Sequence, residues 1–135
     1  MATLTLAEAE QILAAAKAKI LGWGVGMSVS VVDARGDLIA MFRVDGALWR
    51  TALVSRGKAA AAAAFGRPSG DLADNAVIRS LTTIEGGHFV PGKGALPVFK
   101  DGQMVGAVGG SGGTAEQDEE AALTGIQAAG LSATA

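Results

Sequence analysis

The sequence predicts an α+β domain, with a mainly antiparallel sheet of about five strands flanked by helices. The first sign is an apolar stripe at helical spacing in residues 6–21. The second is a pair of hairpins, each with turn residues between two apolar segments. The third is the order of the elements (helix, hairpin, helices, hairpin, helix), which is typical of an α+β fold. We treat residues 1–135 as one domain, because no repeat or interdomain linker is visible.

Each element follows from local patterns. The stripe in the first helix includes Ile12 and Ile20, and Asp101-Gly102 in the second hairpin is a preferred pair for a type I′ turn. The first hairpin turns at residues 33–36, whose Asp and Gly favour a turn. The predicted helices cover residues 6–21, 47–65, 71–81 and 114–129. The predicted strands cover residues 27–32, 37–43, 88–90, 96–99 and 104–108, and the strand at 88–90 lies in a glycine-rich, otherwise irregular segment.

Composition excludes several classes of protein. There are no cysteines, hence no disulfides and no thiolate metal sites. The net charge is −2, and no basic cluster or abundance of aromatic residues marks a nucleic-acid surface. The apolar segments are shorter than the roughly 18 residues of a membrane span, and no signal peptide is visible, so we expect a cytoplasmic protein. The 28 alanines and 20 glycines bury little area per residue, which favours a homo-oligomer over a tightly packed monomer.

The glycine-rich stretch at residues 105–114 runs into an acidic helix start and invites a phosphate-binding interpretation. A P-loop needs a lysine and a hydroxyl residue directly after its last glycine, but Thr114 and Ala115 follow Gly113. Thr114 instead predicts a helix N-cap with Gln117 three residues later. The carboxylates of the first turns complement the helix dipole and would repel an anion. We therefore expect backbone contact with a ligand or a helix here, not phosphate binding.

Candidate catalytic residues are few. The single histidine, His88, lies in a loop and is either a general base or metal ligand or a solvent-exposed side chain. Lys58 lies among small apolar residues, where a lysine either reaches a pocket or extends to water. Glu116 and Asp118 could move a proton. With their acidic neighbours they form either a cation site or a solvated first helical turn, and the solvated turn is favoured, so no metal site is predicted.

Two charged candidates for ligand binding lie at and just after the end of the second predicted strand. Arg43 could hold a carboxylate through two hydrogen bonds, or could pair with Asp45. Backbone amides of the glycine-rich segment could stabilise an oxyanion. The full candidate set comprises Arg43, Asp45, Phe65, Pro97, Gly110, Ser111, Gly112, Gly113 and Thr114.

Five ordered blocks give the chain a family resemblance. They are VVDARG at 31–36, FRVDGA at 42–47, GKA with AAFGRP at 57–68, GALPV at 94–98, and VGAVG with SGGTAEQDE at 105–119. In this order they resemble the GlcG/HbpS-like family of small bacterial proteins. The resemblance implies an antiparallel sheet with flanking helices and assembly into dimers or larger oligomers, often octamers.

The resemblance also implies a small ligand, with haem as a candidate cofactor. Histidines that ligate haem near the N-terminus of some members have no counterpart before Val25. Haem would then be ligated by His88, by Met41 or by an oxygen such as that of Thr114. The expected pocket lies between the glycine-rich segment, the long helix and residues 82–94. The alternative is a cytoplasmic enzyme that acts on a small organic acid or ketone in a catabolic pathway.

Overall fold

A computed structural model describes residues 3–84 and 86–135. It contains four α-helices and four strands within this part of the chain. The helices are α1 (Leu6–Trp23), α2 (Arg50–Phe65), α3 (Ala76–Ile84) and α4 (Ala115–Ala128). The strands are β1 (Ser28–Asp33), β2 (Leu38–Arg43), β3 (Ala95–Lys100) and β4 (Gln103–Ser111), and a 3-10 turn covers Ser69–Leu72.

The two hairpins join into one antiparallel sheet with the order β2-β1-β4-β3. Asp101 and Gly102 both have positive φ angles, 52° and 78°, as a type I′ turn requires. The pairing of β1 with β4 brings Ser28 opposite Ser111. The glycine-rich end of β4 therefore lies in the interior of the sheet, next to the start of β1.

Helices cover both faces of this sheet. The larger core, which includes Val31, lies between the sheet and the pair α1 and α4. The next residue, Val32, points the other way and contacts the alanines of α2. This second interface contains small residues, so α2 approaches the sheet closely. Two hydroxyl pairs also join α2 to β1, Ser28 with Thr51 and Ser30 with Ser55, each 2.8 Å apart.

Capping boxes fix the start of α1 and of α4. Thr5 accepts a hydrogen bond from the amide of Glu8, and Thr114 accepts one from the amide of Gln117, as the sequence predicts for the second. Glu8 also accepts a 2.8 Å bond from Lys100 of β3, which lowers the pKa of the Glu8 carboxyl group. The first helix is thus tied to the edge of the sheet.

The α+β fold class is confirmed, but the strand count of about five is corrected to four within the described residues. The expected strand at 88–90 is absent, because the Val90 amide donates to the Gly57 carbonyl of α2 instead of to a strand. The helix expected at 71–81 is divided between the 3-10 turn and α3. Asn75 causes this division, since its side chain accepts a hydrogen bond from the Ile78 amide and starts α3. No helix in the described residues is long and apolar enough to cross a bilayer.

Candidate functional site

The glycines of β4 allow other parts of the chain to approach the backbone closely. A Cβ atom on Gly109 would collide with the Ser55 carbonyl oxygen of α2. On the opposite face, a Cβ atom on Gly110 would lie 2.6 Å from the Asp118 carbonyl oxygen of α4. The space that side chains of these glycines would need is therefore filled by helix backbone of the same chain. The glycines allow a helix to pack closely against each face of the sheet.

A buried ion pair joins the two helical layers beside these glycines. The Lys58 ammonium of α2 lies 3.1 Å from Oδ2 of Asp118 in α4 and 3.3 Å from the Gly110 carbonyl oxygen. The other carboxylate oxygen, Oδ1, accepts a 3.0 Å bond from the Gly113 amide. Both side chains are almost fully buried. Each charge is thus satisfied by protein groups, and the pair fixes the glycine-rich segment against both helices.

Burial raises the pKa of Asp118, because the carboxylate loses water when it is buried. The Lys58 charge lowers this pKa, as do the hydrogen bonds from Lys58 and Gly113. The negative charge of Glu116 raises it slightly. The geometry around Asp118 is that of an ionised carboxylate, since both oxygens accept bonds from donors and one donor is a cation.

A cleft of about 530 Å³ opens elsewhere, between α2, the β1–β2 turn and the segment that contains His88. We call it the turn–helix cleft. Its size is within the range of small-molecule and cofactor sites, about 300–1,000 Å³. None of its lining residues belongs to the glycine-rich segment. It is lined by Arg35, Gly36, Asp37, Leu53, Arg56, Ala60, His88 and Phe89.

The β1–β2 turn forms one wall of the cleft and is fixed by Asp33. The Asp33 carboxylate accepts hydrogen bonds from the amides of Arg35 and Asp37, at 2.8 and 3.0 Å. Gly36 has a φ of 86°, and its Cα faces the Ala60 side chain of α2. The positive φ of Gly36 closes the turn beside the helix, and the turn presents Arg35 at the cleft.

The segment with His88 forms the opposite wall and is fixed through Val90. The Val90 amide donates a 3.1 Å bond to the Gly57 carbonyl, and the Val90 side chain occupies the space that a side chain on Gly57 would need. Further along, the Ser69 hydroxyl bonds the Gly92 carbonyl at 2.6 Å. Phe89 and His88 are consequently positioned beside the middle of α2.

Basic groups exceed acidic groups in this cleft. Arg35 and Arg56 carry two positive charges and Asp37 carries one negative charge. The Arg35 and Asp37 side chains are 87% and 70% exposed, and their closest charged atoms are 3.7 Å apart. Such an exposed ion pair is weak and open to exchange. With the His88 imidazole at the same place, the cleft can take an anionic ligand and can offer a nitrogen ligand to a metal.

The comparison with family models decides the family. The model described as "Haem degrading protein HbpS-like" matches residues 4–127. The chain belongs to this family. The match covers all five sequence blocks that carry the resemblance and the whole of the sheet, so the resemblance is confirmed.

Two curated proteins and several solved structures are similar to this chain at moderate identity. A Citrobacter freundii protein, described as an uncharacterized 15.0 kDa protein in the dhaT-dhaS intergenic region, is 35% identical over 93% of this chain and 92% of its own length. The corrinoid adenosyltransferase PduO of Salmonella typhimurium is 30% identical over 93% of this chain and 38% of PduO. The solved PduOC:heme complex has a TM-score of 0.90 and 28% identity, covering 99% of this chain and 100% of that chain.

The structure distributes the predicted site residues of this HbpS-like chain over several places. It brings together Lys58, Asp118, Gly110 and Gly113, whereas His88 lies in the turn–helix cleft. The remaining candidates lie outside these two places. Arg43, Asp45, Gly112 and Glu116 are exposed, Phe65 ends α2, Pro97 and Ser111 are buried in the sheet, and Thr114 caps α4.

Two alternatives from the sequence can be compared with the structure. Arg43 and Asp45 form no ion pair with each other among the described residues. The acidic residues of α4 form no cluster suited to a metal ion, again within the described part of the chain. Sequence reasoning did not single out Arg35 and Arg56, which line the turn–helix cleft. The signals were the Asp33 turn, which fixes Arg35, and the helical spacing of Leu53, Arg56 and Ala60.

Proposed function

We propose that this chain is a haem-binding protein, with the turn–helix cleft as the haem site. The single observation that carries the proposal is the placement of the only histidine, His88, in a cleft of cofactor size that also contains two arginines. Membership of the HbpS-like family and the likeness to the PduOC:heme complex support the choice of haem over other cofactors.

The residues of the cleft suit the group chemically. Leu53 and Phe89 offer apolar surface to a porphyrin face, and Leu53 is 63% exposed without a ligand. A histidine imidazole such as that of His88 is a common ligand of haem iron. Bound haem would supply redox or oxygen chemistry, while His88 would hold it through a ring nitrogen and Arg35 and Arg56 would provide positive charge beside it.

A haemin titration tests the proposal. We expect the wild type to develop a Soret band that saturates at one haem per site and is lost or strongly shifted in His88→Ala. Met41→Leu and Thr114→Val are the matched controls, because both residues are alternative ligands predicted from the sequence and lie outside the cleft. A band that survives His88→Ala unchanged, or no saturable band in the wild type, would contradict the proposal.

The alternative, an enzyme acting on a small organic acid or ketone, has less support from the site geometry. Its predicted catalytic residues Lys58 and Asp118 bond each other and are shielded from solvent, which favours a structural role over proton transfer. Glu116 is exposed on α4, on the opposite side of the sheet from α2 and its cleft.

We also propose that the chain works as a homo-oligomer, between a dimer and an octamer. The exposed apolar side chains at the start of α2 support this, as does the high content of alanine and glycine. A cytoplasmic location stays a prediction, which fractionation of the native cells would test.

A further inference from the structure

We infer that the turn–helix cleft recognises paired carboxylates through Arg35 and Arg56, with the apolar part of the ligand against Leu53 and Phe89. This inference rests on the proposed function only in taking the cleft as the ligand site. It names the chemical class of the ligand and the residues that select it, neither of which follows from haem ligation by His88.

The guanidinium groups of Arg35 and Arg56 are both accessible to a ligand in the cleft. Arg56 lies on the exposed side of α2 and has no ion pair among the described residues. Arg35 has only the exposed Asp37 as a partner, at 3.7 Å. An incoming carboxylate can displace such a partner at little cost, because exposed ion pairs are weak. Two planar donors are then free to bind carboxylates through paired hydrogen bonds.

Regular backbone structure fixes the Cα positions of both arginines. Arg35 follows Asp33 in a turn closed by two side-chain hydrogen bonds, and Gly36 of that turn faces Ala60 of α2. Arg56 is one helical turn before Ala60 in the same helix. The two Cα positions are therefore held relative to each other by one turn, one helix and one contact. A site on such elements loses less entropy on binding than one on mobile loops.

The cleft combines charged and apolar side chains. The charges lie on the turn and on α2, while Leu53 and Phe89 provide apolar surface within the same cleft. A ligand that matches this lining carries both carboxylates and an apolar body. Haem has this chemistry, with two propionates on a flat ring. A free aliphatic dicarboxylic acid shares the carboxylates, and experiment can distinguish the two sources.

The test compares three ligands on four proteins. The ligands are haemin, haemin dimethyl ester delivered from the same detergent solution, and glutarate. The proteins are the wild type, Arg35→Gln, Arg56→Gln and the control Arg67→Gln, whose arginine lies beyond the end of α2 and outside the cleft lining. Absorbance titrations give the Kd of the two haemins, and thermal shift gives that of glutarate.

We expect each cleft variant to weaken haemin binding about tenfold, because each loses charge-assisted hydrogen bonds to a carboxylate. Arg67→Gln should bind like the wild type. The dimethyl ester should bind the wild type more weakly than haemin does, with a Kd that Arg35→Gln and Arg56→Gln leave unchanged.

The outcomes separate this inference from the haem proposal. Equal binding of haemin and its ester, unaffected by the arginine variants, would overturn carboxylate recognition and leave haem binding intact. Saturable stabilisation by glutarate that both cleft variants abolish, with no haemin binding, would support carboxylate recognition and overturn haem as the ligand. Binding of none of the three ligands would overturn both.

Discussion

At the residue scale, Lys58 and Asp118 form a buried ion pair with a 3.1 Å contact. It connects helices on opposite faces of the sheet and also bonds Gly110 and Gly113 at the glycine-rich end of β4. A buried ion pair gains little over an apolar pair of the same size, but either charge left alone is costly. The two side chains therefore act as one unit.

We expect Asp118→Asn to lower the free energy of unfolding by about 3 kcal/mol, because it leaves the buried Lys58 charge uncompensated while keeping an acceptor for the Gly113 amide. The double variant Lys58→Met/Asp118→Asn should regain most of this loss. Urea unfolding at pH 7, followed by circular dichroism, measures both values. The control is Glu116→Gln, an exposed acidic residue in the same helix. An Asp118→Asn protein as stable as this control would show that the ion pair does not constrain the fold.

Sequence reasoning identified Lys58 and Asp118 but not their pairing. Lys58 stands out because it is a charge among alanines, and Asp118 because it lies in an acidic helix start. The residues are 60 positions apart, and their contact depends on how α2 and α4 pack across the sheet. No local pattern contains that information. Arg35 and Arg56 were missed for the same reason, since the Gly36–Ala60 contact brings them to one cleft.

At the scale of elements, small residues set the distance between the helices and the sheet. Gly109 faces the backbone of α2 and Gly110 that of α4, so both helices lie unusually close to β4. The sequence predicted most helices and both hairpins, because caps, turn pairs and apolar spacing are local signals. It misplaced the fifth strand, because Val90 bonds Gly57 in α2, a partner more than 30 residues away.

We expect Gly110→Ala to destabilise the fold by about 1–3 kcal/mol, because the new methyl group would lie 2.6 Å from the Asp118 carbonyl oxygen and force α4 outward. Gly22→Ala in α1 is the matched control. Its added methyl group has no atom within 4 Å, and alanine favours the helix by up to about 1 kcal/mol. Urea midpoints of the two variants should therefore shift in opposite directions. A neutral Gly110→Ala would mean that the close approach of α4 is not required.

At the scale of the whole molecule, the chain exposes a patch of large apolar side chains. Leu48, Trp49 and Leu53 lie within six residues at the start of α2 and are 53%, 67% and 63% exposed. Tryptophan is enriched at the centres of protein interfaces. The same end of α2 contributes Leu53 to the turn–helix cleft. Assembly through this patch would therefore place a second copy beside the ligand site.

We expect the wild type to elute with a mass that is a multiple of the 13.4 kDa chain mass. Trp49→Glu should shift it to a smaller species, because a charge at a buried interface must be desolvated without a partner. Size-exclusion chromatography with light scattering measures the mass, and circular dichroism verifies that the variant is folded. Leu21→Glu is the control, an equally exposed apolar residue near the end of α1. A monomeric wild type would contradict assembly. If Trp49→Glu leaves the oligomer intact and Leu21→Glu disrupts it, the interface lies on α1. This helix packs on the sheet face opposite the cleft. Haem binding would then be independent of protein concentration.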